Sequence, residues 1–193
     1  QNYGSSAIQA TVSSGGYNFV PASGNLVVLA NGAGCGPACA ANGTTTLVMG
    51  GNNVNPFAAA PLVMTNATNQ SFYLLGFDFG EFIQGGRPEN ATTLKVLGNL
   101  FGGGTVSQIF NIDGINDGPG GGVDFQAANL LAFWGSSLLT SVEFSGFSGQ
   151  LINQGFQLDN IIVDSNRVPE PVSLVLVSLG LLGLGFSRRN RTI

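Results

Sequence analysis

Histidine is absent from this chain of 193 residues, and lysine occurs once, at Lys95. Without histidine no Ser-His-Asp triad, no Cys-His dyad and no histidine-ligated metal can be assembled. A serine–lysine nucleophile pair would have to use Lys95, whose setting, Thr93-Leu94-Lys95-Val96-Leu97, reads instead as a strand residue facing solvent. Sugar-stacking rings are scarce, with one tryptophan and three tyrosines, so a glycosidase cleft of two facing carboxylates lined by aromatics is poorly supplied. The chain is therefore read as no enzyme, with no catalytic residues; a surface hydrolase is the last of the alternatives. Charge is scarce as well, at 8% of residues. Setting aside everything from Pro169 onward removes one of the 10 acidic and three of the 6 basic residues, which leaves a net charge near −6. Nucleic acid and anionic lipid both need clustered Lys and Arg, so neither is an expected partner of that acidic portion.

Glycine is abundant, with 30 residues, and the chain reads as turns and strands without an amphipathic helix. From Ser71 to Phe82, alternation puts Tyr73, Leu75, Phe77 and Phe79 on one face and Asp78 on the other. Thr105 to Ile112, Leu138 to Phe144 and Phe156 to Val163 also read as strands bounded by Gly, Asn and Asp. Leu26 to Ala30, Thr44 to Met49 and Thr93 to Leu97 are weaker ones, and Ala127 to Phe133 reads equally as a helical turn. Strands at this spacing imply an all-β, antiparallel β-sandwich over residues 1–166, with most of the 14 phenylalanines in its core.

The C-terminus has a different character. Val168-Pro169-Glu170-Pro171 forms a short linker over 167–171; Val172 to Phe186 carries no charge, and Arg188, Arg189 and Arg191 follow. Residues 172–187 read as a transmembrane helix and 188–193 as a basic tail that stays cytoplasmic, because arginine at mid-bilayer costs roughly 2.5 to 3.5 kcal/mol. At about 1.5 Å per residue the uncharged run reaches about 22 Å, short of the ~30 Å hydrocarbon core. It is a marginal anchor. Pro-Glu-Pro, a short apolar stretch and clustered arginines resemble the PEP-CTERM sorting signal. The resemblance implies export in a diderm bacterium, an exosortase-type transpeptidase as partner, and genes that accompany exopolysaccharide synthesis. A chain that starts at Gln1-Asn2-Tyr3 would then be a fragment or have lost a signal peptide.

In an oxidising compartment Cys35 and Cys39, the only cysteines, are expected to pair as a disulfide; a redox pair or half a metal site are the alternatives. The segments Gly16-Tyr17-Asn18-Phe19, Leu74 to Glu81, Gly102 to Val106, Leu138 to Phe144 and Phe156 to Val163 are similar, in their order, to the jelly-roll-like ectodomain common among PEP-CTERM proteins. In many jelly-roll modules a strand of the form Leu158-Asp159-Asn160-Ile161 gives a carboxylate to a structural calcium, so Asp159 with Glu81 or Asp78 is one candidate site. Asp113, Asp117 and Asp124 form a second, although Ile115 and the flanks depart from an EF-hand. No other cofactor is expected. The leading expectation is an exported, non-enzymatic cell-surface or extracellular-matrix protein associated with exopolysaccharide. The main alternative is a carbohydrate-binding module, for which Trp134, with Tyr73 or Tyr17, would have to supply an exposed platform.

Overall fold

Alternation of apolar and polar residues, interrupted every few positions by Gly, Asn or Asp, favours strands that bury one face. The computed structural model describes residues 7–22, 27–31, 40, 44–49, 61–82, 91–114, 124–134, 136–149, 151–152 and 154–165. The strands are β1 (Ala7–Gln9), β2 (Val12–Ser14), β3 (Tyr17–Pro21), β4 (Val27–Asn31), β5 (Thr45–Met49), β6 (Leu62–Asn66), β7 (Tyr73–Glu81) and β8 (Thr93–Leu100). They continue with β9 (Thr105–Asn111), β10 (Phe125–Asn129), one helical turn α1 (Leu131–Trp134), β11 (Leu139–Ser148), β12 (Leu151–Ile152) and β13 (Phe156–Asp164). One sheet runs β1-β4-β5-β13-β7-β10, the other β2-β3-β6-β11-β8-β9 with β12 on β11. Every pairing is antiparallel.

After β5 the chain passes from one sheet to the other and back, so β13 comes to lie between β5 and β7, and β11 between β6 and β8. Buried residues of both sheets belong to one apolar cluster, as two sheets packed face to face require. Phe77 sits at its centre, its ring meeting Phe79, Phe110 and Phe144 at 5.3 to 5.9 Å, edge to face. Phe19, Phe72, Phe77, Phe79, Phe144 and Phe156 are buried, whereas Phe101 and Phe133 are exposed. The phenylalanines are thus split between core and surface.

Two elements correct the alternation read from the sequence. Opposite β7, Asp159 pairs with Asp78 but Ile162 pairs with Gly76, so Asn160 and Ile161 share the place of Phe77. Val163 then pairs with Leu74, which leaves Leu75 as an extra residue on the other strand. The two bulges compensate, and between them the face of β7 changes over: Leu74 joins Phe77 and Phe79 in the core, while Leu75 is only half-buried. Ala127 to Phe133 is also divided, with Ala127 to Asn129 completing β10 against β7 and helix starting only at Leu131. Among the described residues no helix is long and apolar enough to cross a membrane. The linker, residues 172–187 and the basic tail lie outside those described, as do Cys35, Cys39 and Asp117.

Candidate functional site

Along the first half of β13, alternation sends Phe156 and Leu158 into the core and turns Asp159 to the other face. Asp159 stands directly opposite Asp78, so two carboxylates leave the sheet side by side. Like charges in that position repel. The bulge supplies the answer. Asn160 adopts φ 45°, a left-handed conformation that asparagine tolerates better than other side chains. From there its Nδ2 donates to Asp78 Oδ2 at 2.7 Å, while its backbone N–H donates to Asp159 Oδ1 at 2.7 Å. Thr44 Oγ1 donates to Asp159 Oδ2 at 2.6 Å. One asparagine therefore ties together two carboxylates that would otherwise push β7 and β13 apart.

Asp159 and Asn160 also border a cleft of about 250 Å³, walled by Val12, Phe19 and Met64 from one sheet and Leu47 and Leu158 from the other. Of the residues expected to bind calcium, the fold thus brings Asp78 and Asp159 together. Glu81 closes β7 opposite Phe156, one strand position beyond the partners Gly80 and Gln157. Calcium takes six to eight oxygens, and the described cluster offers those of Asp78, Asp159, Thr44 and Asn160, so backbone or water would have to supply the rest. Among the described residues no three His, Cys, Asp or Glu side chains converge.

Asp113 has a structural setting. Its N–H donates to Gln126 Oε1 at 3.2 Å, and Gln126 Nε2 donates to Asp113 Oδ2 at 3.1 Å. This reciprocal clamp joins the end of β9 to β10, across from one sheet to the other. Asp124, half-buried, immediately precedes β10.

Lys95 lies directly across from Ser145, with Ile109 on its other side. Ser145 is buried and its hydroxyl donates to Glu143 Oε1 at 3.1 Å. The serine–lysine juxtaposition was hidden in the sequence, because Ser145 becomes Lys95's neighbour only through the β8–β11 register. Trp134 is core: it is 8% exposed and packs over Gly98, and its buried Nε1 has no hydrogen-bond partner among the described residues. Tyr17 and Tyr73 are buried too. None of these three rings offers an open stacking platform.

The molecule is thus, as a class, an antiparallel β domain whose last described residue, Ser165, stands just before a segment of unlike composition. That segment, residues 167–189, matches the family described as the PEP-CTERM protein-sorting motif. The chain carries a PEP-CTERM sorting signal, the mark of an exported protein directed to the cell surface and handled by exosortase-type machinery. No curated protein and no solved structure matches the chain.

Proposed function

We propose that this is an exported, non-enzymatic surface or matrix protein whose jelly-roll-like sandwich is delivered by its C-terminal signal and contributes to a polysaccharide-associated layer. The observation that carries the reading is the sorting motif at 167–189 placed directly behind an all-β domain. In this reading residues 172–187 hold the chain in the inner membrane, Arg188, Arg189 and Arg191 stay cytoplasmic, and the transpeptidase acts near Pro169-Glu170-Pro171. The absence of histidine and the engagement of Ser145 by Glu143 support a non-enzymatic role. A structural calcium at Asp78 and Asp159 belongs to the same proposal, supported by their facing carboxylates. Replacing Pro169, Glu170 and Pro171 with alanine in a host that has an exosortase tests the central part: the protein should shift from the surface fraction to the membrane fraction. Unchanged surface delivery would contradict it.

A second reading, carbohydrate binding, draws on the cleft beside Asp159 and Asn160 and no longer on Trp134. A glycan-array signal that Asp159→Asn abolishes would support it; a signal that survives, or none from the parent, would remove it.

A further inference from the structure

The longest sheet edge among the described residues belongs to β9, which pairs only with β8. Ile112 N–H donates to Thr92 O and Leu100 N–H to Gly104 O, which fixes the phase of the ladder. Val106, Gln108 and Phe110 therefore spend their backbone groups on β8. Thr105, Ser107, Ile109 and Asn111 point theirs away from it. Among the described residues, the one partner these outward groups have is Gln108 Nε2, which donates to Ile109's carbonyl at 3.3 Å.

Sheet edges of this length are ordinarily guarded by lysine, proline, a bulge or a covering loop. Within this strand there is no lysine, proline or bulge. From Leu97 to Ile112 there is no charged residue, and β9 contains neither proline nor glycine. Lys95, the nearest cation among the described residues, sits one strand inward, opposite Ile109. Apolar surface gathers at the same edge: Ile109 is 60% exposed, and the exposed ring of Phe133 lies 6.3 Å from that of Phe110.

We propose that β9 is a self-association edge, joined antiparallel to β9 of a second copy about a two-fold axis through Gln108. The edge itself selects this partner. An acidic chain repels its own copies wherever its carboxylates face outward, and least along an uncharged strand. A two-fold centred on Gln108 uses the whole strand and keeps the hydrogen-bonding phase. Thr105 pairs with Asn111 and Ser107 with Ile109, matching the residues whose backbone groups point outward. On the core-facing row, half-buried Val106 meets Phe110 of the other copy, which carries the core through the seam. Gln108 meets itself in a non-hydrogen-bonded pair, where a primary amide can both donate and accept. The interface is isologous and closes as a dimer with one continuous sheet. It does not rest on the sorting reading.

The register makes a specific test available in the full chain held in detergent. Across the axis the Gln108 Cα atoms would lie about 4.5 Å apart, within disulfide range, whereas Thr105 would be about 20 Å from its copy. Under mild oxidation Gln108→Cys should give a covalent dimer several-fold more abundant than in the parent or in Thr105→Cys. Ile109→Lys, at an exposed position, should reduce the sedimenting species from dimer to monomer while the circular dichroism spectrum stays that of the folded parent. A Gln108→Cys chain that cross-links no better than Thr105→Cys, or a dimer that survives Ile109→Lys, would overturn the proposal.

Discussion

Asn160 concentrates the local logic of the molecule: it accepts a left-handed backbone, creates the bulge and bridges Asp78 and Asp159. Asn160→Ala should cost roughly 1 to 2 kcal/mol for the backbone alone, with the lost bond to Asp78 in addition. Asn160→Gly, which keeps the conformation, should cost less; urea unfolding of the two variants gives the comparison, and equal losses would mean the left-handed backbone is not what Asn160 supplies. If calcium sits between these carboxylates, adding a chelator should lower the melting temperature, and Asp78→Asn should abolish that response. No shift on chelation would remove calcium from the account. Deeper in, Phe77→Ala should cost about 3 to 5 kcal/mol, a large share of the 5 to 15 kcal/mol by which domains are usually stable, since its ring is held by three others. Thermal unfolding should show the transition lowered or lost.

At the scale of elements, β7 joins β13 to β10, and β10 passes close to β7 at Gly76. A Cβ there would lie 2.6 Å from the backbone carbonyl of Ala128, which cannot rotate away. Gly76→Ala should therefore destabilise by roughly 1 to 3 kcal/mol in urea unfolding, whereas alanine at open Gly102 should be nearly neutral. Most strands were legible in the sequence for a physical reason: β4, β5, β7, β8, β9, β11 and β13 have enough β-branched and aromatic residues for alternation to show. Phe125 to Asn129 was not, because Ala and Asn are poor strand formers and pairing with β7, a long-range contact, decides its state. Leu62 to Asn66 carries a clean buried/half-buried alternation but is too short to stand out without its partners β3 and β11. The bulges were equally invisible, so the inner face of β7 was assigned correctly at Phe77 and Phe79 and incorrectly at Leu75. For the candidate site, the sequence nominated Asp159 and Asp78; Thr44, far away in the chain, entered only through the fold.

At the scale of the whole molecule, two parts with separate physical requirements lie in series. The β domain derives its stability from one apolar cluster shared by two sheets, whereas the C-terminal segment is defined by composition: a Pro-Glu-Pro linker, an uncharged run and arginines. Their independence explains why address was legible from sequence alone and ligand was not, since a sorting signal is a linear pattern and a binding surface is built from residues distant in the chain. The most direct measurement is the intact mass of the protein recovered from a host with an exosortase and from one without it. The account predicts a loss of mass, mapping near Pro169-Glu170-Pro171, only where the enzyme is present. Identical full-length masses in both hosts would contradict it.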